Sequence, residues 1–262
     1  MSRPLLSVVI PAYNEQDRLQ SSLKQIVAFL KSRGDSFELL VVDDGSTDRT
    51  ARVAEQAADQ KDSSWELRLL RNSRNRGKGY SVRRGMLESR GRYALLTDAD
   101  LSAPIREFAK LESEVIEGAC AIAIGSRDVE GSQVEIHQSR FRENSGKLFN
   151  LAVRCLLRLP FHDTQCGFKL FDLRACRKLF ELQRTRRFGF AAELLFIARK
   201  MGLSIKEVAI VWRHSDGSKV HFTRDGTGMI LDLFRIRWNQ LRGKYRTGSA
   251  IESRVLSGEH KA

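Results

Sequence analysis

Hydrophobic and polar positions alternate along the first half of the chain in a regular rhythm. Leu5 to Ile10, Phe37 to Val42, Leu67 to Leu70, Tyr93 to Leu96 and Cys120 to Ile124 are short apolar runs of strand length. Ser7, Glu38 and Arg68 interrupt three of these runs, and the unbroken run Tyr93 to Leu96 suits a strand buried on both faces of a parallel sheet. Between them Leu19, Leu23, Ile26, Val27 and Leu30 recur at helical spacing before Gly34, and Val53, Ala54 and Ala57 mark a second helix. A further helix is predicted from Pro104 to about Glu117, and Pro11 is expected to stop the first strand. Strands alternating with helices predict βαβ crossovers and a mixed, mostly parallel α/β sheet flanked by helices.

The second half is less regular. Asp128 to Gln138 reads as a polar loop, Phe141 to Leu159 as a helix, and Asp163 to Phe171 as a loop entering a short strand. Ala191 to Lys200 reads as a helix and Ile205 to Trp212 as the last strand. From Met229 to Tyr245, Ile230, Leu231, Leu233, Phe234, Ile236, Trp238 and Leu241 interleave with Arg235, Arg237, Arg242 and Lys244. That pattern fits either a basic helix lying on a membrane surface or a C-terminal helix packed on the sheet with a basic outer face. Without repeats or low-complexity linkers, residues 1–245 read as one domain, and 246–262 as a disordered tail.

Composition narrows this little. The 262 residues carry a formal net charge of +13, which implies a polyanionic partner: nucleic acid, a nucleotide or an anionic membrane. Cys120, Cys155, Cys166 and Cys176 lack C-x-x-C spacing, so neither zinc nor a disulfide framework is expected, and a reducing cytoplasm fits. No secretory signal is read at Met1, and no apolar run is long enough to span a bilayer.

The chemistry concentrates at strand ends. Tyr93-Ala94-Leu95-Leu96-Thr97-Asp98-Ala99-Asp100 closes an apolar strand with two carboxylates. Successive residues there point in opposite directions, at the edge where open α/β sheets bind ligands. Paired carboxylates at a strand mouth suit Mg²⁺ or Mn²⁺; the plain alternative is a solvated turn with Asp100 capping the helix near Pro104. A second acidic strand end, Val42-Asp43-Asp44-Gly45-Ser46-Thr47-Asp48, and the turn Pro11-Ala12-Tyr13-Asn14-Glu15 favour the site. Gly77-Lys78-Gly79 offers backbone amides and an ammonium to a nucleotide, or is a surface turn.

Together these three stretches resemble the signature of family 2 inverting glycosyltransferases with the GT-A fold. Asp163-Thr164-Gln165-Cys166-Gly167-Phe168-Lys169 and Gly217-Ser218-Lys219 resemble the dolichyl-phosphate β-glucosyltransferase branch, close to the dolichyl-phosphate mannose synthases. The resemblance covers roughly Leu5 to Tyr245. It implies a nucleotide-sugar half at about 1–127, an acceptor half at about 128–228 and a membrane-docking helix at about 229–245. Pro11, Ala12, Tyr13, Glu15, Asp43 and Asp44 match nucleotide positions; Lys78, Gln165 and Gly167 are expected to join them. Asp98 matches the nucleotide-sugar contact, Asp100 the ligand of the metal on the diphosphate, and Arg127 and Arg142 the lipid-phosphate positions. Glu193 is expected near the sugar or as a structural partner. Relatives in the mannose synthase branch often have glutamine at Ser102, and eukaryotic glucosyltransferases often have aspartate at Ala191. Trp212 reads as core, and His162, His214 and His221 do not share ligand spacing.

The resemblance implies transfer of one hexose, glucose from UDP-glucose, to a polyprenyl or dolichyl phosphate, by an enzyme peripheral on the inner, cytoplasmic face of the cell membrane. A membrane-protein partner or a homo-oligomer is compatible with it. The nearest alternatives use GDP-mannose or a glycan or glycolipid hydroxyl. A hydroxyl acceptor needs a general base; a phosphate monoester, already mostly dianionic at neutral pH, needs positioning and charge neutralisation. A non-catalytic nucleic-acid-binding protein would need stacking aromatics among the basic residues, and aromatics are only 8% of the chain.

Overall fold

Three parallel strands lie side by side at the start of the chain: β1 (Leu6–Ala12), β2 (Phe37–Asp43) and β3 (Trp65–Arg71). The computed structural model describes residues 4–60, 64–118, 120–136, 140–213 and 222–246. Helices α1 (Gln16–Arg33), α2 (Thr50–Ala58) and α3 (Lys78–Glu88) make the connections, and β4 (Tyr93–Leu96) adds to the other side of β1. The strand continues through Pro11, contrary to the sequence expectation. Val9 bonds toward β4 through its carbonyl, so Pro11, two residues on, would aim its missing N–H toward the same side, where β4 has already ended.

The sheet is completed by β5 (Ile122–Ser126), β7 (Lys169–Asp172) and β8 (Ile205–Ala209), in the order β3-β2-β1-β4-β7-β5-β8. Only β7 runs antiparallel, between β4 and β5. The 104–117 region is a composite: a 3₁₀ turn at Ile105–Glu107, α4 (Phe108–Glu112) and a π turn at Ser113–Glu117. The predicted last strand breaks at Ile210, whose N–H bonds back to Ser126. Beyond it, β9 (Val211–Arg213) pairs with β6 (Gln133–Ile136), a strand inside the expected polar loop.

Helices α5 (Arg140–Leu157), α6 (Leu173–Leu182), α7 (Phe190–Lys200) and α8 (Phe222–Leu241) follow; α6 was not anticipated. Alternation along the strands fills two cores. Val9, Leu40, Val42 and Leu96 face α3 and α5 to α8, whereas Val8, Ile10, Leu39 and Leu95 face α1, α2 and α4. On α8, Leu233 and Ile236 are buried while Leu231, Phe234, Trp238 and Leu241 are exposed, beside exposed Leu148 and Leu151 of α5. No helix among the described residues is long and apolar enough to cross a membrane. The expected tail beyond Arg246 lies outside the described residues, as do Gly217-Ser218-Lys219, His214 and His221.

Candidate active site

The carboxyl ends of β2, β1 and β4 adjoin because β1 lies between the other two. Their turns are laced together. Asn14 holds a left-handed backbone (φ 55°), donates its N–H to Ser46 Oγ at 2.9 Å and accepts the Thr47 N–H at 2.8 Å. Glu15 N–H reaches Thr50 Oγ1 at 2.7 Å, and Asp43 Oδ1 accepts the Ser46 N–H at 2.9 Å. Pro11 and Ala12 are buried under this lacing and Tyr13 is half-buried.

Asp44 is buried and accepts Asn72 Nδ2 at 2.7 Å, Arg76 N–H at 2.9 Å and Gly77 N–H at 2.8 Å. A carboxylate holding three donors pins the loop that starts α3. Gly77 has φ 100°, and a Cβ there would lie 2.5 Å from the Arg186 carbonyl oxygen, so no other residue fits. Lys78 thereby opens α3 with Nζ 2.6 Å from Asp98 Oδ1. Burial works against the ammonium, but Asp98, with help from Asp100, overrides it and holds Lys78 above its ordinary pKa.

Asp98 and Asp100, both beyond the end of β4, meet different partners. Gly167 lies against the Asp98 carboxylate, where a Cβ would sit 2.6 Å from Asp98 Cγ. Asp100 Oδ1 accepts the Ser102 N–H at 3.0 Å, while Oδ2 lies 3.8 Å from Arg18 Nη1. Arg18 in turn binds Glu15 Oε2 at 2.8 and 2.6 Å, so Glu15, expected at the nucleotide, is held by a cation one helical turn away. Lys169 lies fully buried beneath, donating to the Cys166 carbonyl; burial holds its pKa below the ordinary lysine value, and burial pushes the Cys166 thiol up to about 11.

Among the described residues no three histidines, cysteines or carboxylates form a metal cage. One partly exposed carboxylate with an oxygen facing only a distant arginine fits a hard cation that takes most of its ligands from a bound diphosphate. Asp100 is the residue that would hold it.

The acceptor-side candidates sit differently. Arg127 is locked in a two-point pair with buried Asp163, Nε to Oδ2 at 2.6 Å and Nη2 to Oδ1 at 3.0 Å, and lies 5.3 Å above the Trp212 ring. Burial alone would raise the Asp163 carboxyl; Arg127 reverses this and holds it low. Trp212 is therefore half-exposed beside the site rather than core. Arg142 falls in the first turn of α5, with its side chain outside the described residues. Gln165 donates Nε2 to Thr164 Oγ1 at 3.1 Å and its N–H to Asp163.

Glu193, expected near the sugar or as a structural partner, sits in the core between α7 and a loop. It is fully buried; Oε2 accepts Arg184 N–H at 3.0 Å and Thr185 N–H at 2.7 Å, and Oε1 accepts the Tyr245 hydroxyl at 2.5 Å. Desolvation holds its carboxyl above the ordinary value. The loop it pins reaches the donor side, because Gln183 Nε2 donates to the Gly79 carbonyl at 2.7 Å and Tyr80 N–H to that of Arg186. Ala191, two residues earlier on α7, is also buried. Arg18, Lys169 and Tyr245 were missed by sequence reasoning; only Lys169 lay within a motif.

The sequence pattern of Glycosyl transferase family 2 matches residues 7–180. A dolichyl-phosphate beta-glucosyltransferase of Dictyostelium discoideum is 38% identical over 253 residues, 93% of this chain and 77% of that protein. The Homo sapiens dolichyl-phosphate beta-glucosyltransferase is 36% identical over 251 residues, 92% of this chain and 77% of that protein. Among solved structures, mannosyl-3-phosphoglycerate synthase from Rubrobacter xylanophilus superposes with a TM-score of 0.67 at 19% identity, over 94% of this chain and 77% of that one. Glucosyl-3-phosphoglycerate synthase from Mycobacterium tuberculosis, in complex with Mn²⁺ and UDP-glucose, gives 0.62 at 18% identity, over 88% and 79%.

Proposed function

The chain belongs to glycosyltransferase family 2, and on that premise we propose that it transfers glucose, with inversion, from UDP-glucose to a dolichyl or other polyprenyl phosphate. The observation that carries the choice of acceptor is the engagement of the carboxylates around the mouth. Asp44 holds three donors, Asp98 pairs with Lys78, Asp163 with Arg127, and Glu193 is buried under three bonds. A hydroxyl acceptor needs a free base; a phosphate dianion needs only charge and position.

In this reading the nucleotide lies on Pro11, Ala12, Tyr13 and Asp44, and Lys78 faces the diphosphate from the start of α3. Asp98 orients the sugar with Gly167 leaving room beside it. A divalent cation, Mg²⁺ or Mn²⁺, held by Asp100 supplies Lewis-acid stabilisation of the leaving diphosphate. Asp163 occupies Nε and Nη2 of Arg127, leaving Nη1 for the acceptor phosphate, with Arg142 as the second cation. The exposed apolar side chains of α8 and α5, interleaved with arginines, rest on the inner, cytoplasmic face of the cell membrane, where the acceptor's hydrocarbon lies.

The test supplies a panel of nucleotide-sugars, Mg²⁺ or Mn²⁺ and a short polyprenyl phosphate, with Asp100→Ala beside it. Organic-extractable label from UDP-glucose, lost in the variant, is the expected result. Label from GDP-mannose alone reassigns the donor, and the absence of any lipid product redirects the search to hydroxyl acceptors.

A further inference from the structure

At the opposite end of the sheet, where β1 and β4 begin, a cavity of about 350 Å³ is lined by Arg90, Arg92, Arg174 and Arg177. Two of these arginines flank Gly91, which lies so close to β1 that a Cβ would be 2.7 Å from Ser7 N. The other two are three apart on α6 and so share a face. Their charge is only partly cancelled. Arg90 pairs with Glu66 at 2.7 Å, and Arg92 reaches Asp172 only at 3.9 Å. Arg177 is fixed by the Leu87 and Ser89 carbonyls, each at 2.7 Å, which orient the guanidinium without neutralising it. Among the described residues neither Arg177 nor Arg174 has a carboxylate partner.

We propose that this cavity is a second anion site, separate from the donor and acceptor sites, which takes a phosphate ester. Like charges gathered around one opening repel, and an anion between them relieves that cost. Guanidiniums are the side chains whose planar donor forks match phosphate oxygens in pairs. The cavity exceeds the volume of a bare phosphate, and Pro4, Leu5 and Leu173 supply an apolar wall for an organic group. The ligand bridges α3 and α6: Arg90 and Arg92 follow the end of α3, and Arg174 and Arg177 lie on the first turns of α6. Those helices carry Lys78 and Gln183 at their other ends. Such an ester is either a soluble metabolite or the headgroup of an anionic lipid.

The test titrates inorganic phosphate and glycerol 3-phosphate into the protein by calorimetry with UDP and Mg²⁺ saturating the donor site. The same protein is sedimented with vesicles of phosphatidylcholine, with and without phosphatidate. Both arms are repeated with Arg92→Glu and Arg174→Glu, substitutions on exposed side chains that leave the core and the basal transfer rate unchanged. Glycerol 3-phosphate binding weakened at least tenfold by either variant supports the site and a soluble ligand. Loss confined to phosphatidate vesicles supports the site and assigns it to a headgroup. Binding that is equal in wild type and variants in both arms, or absent from both arms, overturns the proposal.

Discussion

The proposed donor rim and the proposed acceptor rim of this site use charge in opposite ways. On the donor side, Asp44, Asp98 and Asp100 come from short turns at adjacent strand ends, and their partners are backbone amides of the same rim, the Asn72 side-chain amide, or cations beside the mouth. On the acceptor side, charges expected to do chemistry are also engaged in holding the protein together. Arg127 is locked on Asp163, and Glu193 fastens a loop to Tyr245. A carboxylate at a strand mouth is exposed by topology, whereas one on a packed helix such as α7 is exposed only if the packing leaves it so. The lesson is that residue type and motif place a charge at a strand mouth well, and say little about which partner a charge on a packed helix will take.

The comparison can be broken most directly at Asp100. Asp100→Ala is expected to lower transfer about a thousandfold, with an unchanged circular dichroism spectrum, because it removes the metal anchor but no core contact. Asp163→Ala should instead act on the fold: leaving Arg127 without its buried partner costs about 3–5 kcal/mol, read from urea denaturation. A catalytic loss without that destabilisation would move Asp163 into the donor-side class. Gly167→Ala tests how closely the two rims meet. The added methyl displaces Asp98, and turnover should fall on the order of tenfold to a hundredfold with stability lowered less than in Asp163→Ala.

Glu193→Gln sharpens the contrast through pH. The folded carboxyl is held above its ordinary value by desolvation, so the folded state takes up a proton more readily than the unfolded chain. The resulting stability is fully present below the ordinary carboxylate pKa and is lost as pH rises through the higher folded value. Glutamine should remove that slope, cost about 1–3 kcal/mol through mismatched hydrogen bonds, and change turnover less than tenfold. A hundredfold loss of turnover at full stability would restore Glu193 to catalysis. The smallest effect on folding, within about 0.5 kcal/mol, is expected for Phe234→Ser with Trp238→Ser, since both side chains are more than half exposed. Their vesicle binding should nonetheless be lost; unchanged sedimentation would refute docking through α8.

The sheet was legible because most of its strands are short, largely apolar runs, and the strand-end turns because each acidic cluster closes such a run. Pro11 was misread because a proline stops a strand only where its N–H is needed, and that depends on where β4 ends. The antiparallel course of β7 left no mark in the four residues Lys169 to Asp172, whose period is the same in either direction. Helix α6 was overlooked although Leu173, Cys176, Leu179 and Phe180 form its buried stripe. Pairings such as Arg127 with Asp163 and Glu193 with Tyr245 span 36 and 52 positions, and no local pattern announces them. Trp212 was assigned to the core on residue type, yet a strand break at Ile210 turned it outward.

The Tyr245–Glu193 bond also sets an order of events during synthesis. A nascent chain that has passed Asp100 already carries every donor-side carboxylate. The loop at Arg184 and Thr185, against which Gly77 and Gly79 rest, is bound by Glu193 Oε2 within the same stretch of chain, whereas Glu193 Oε1 gains its partner only when Tyr245 emerges 52 residues later. The strand-end carboxylates are thus made early, and the last partner of the buried Glu193 arrives only with the segment that follows α8.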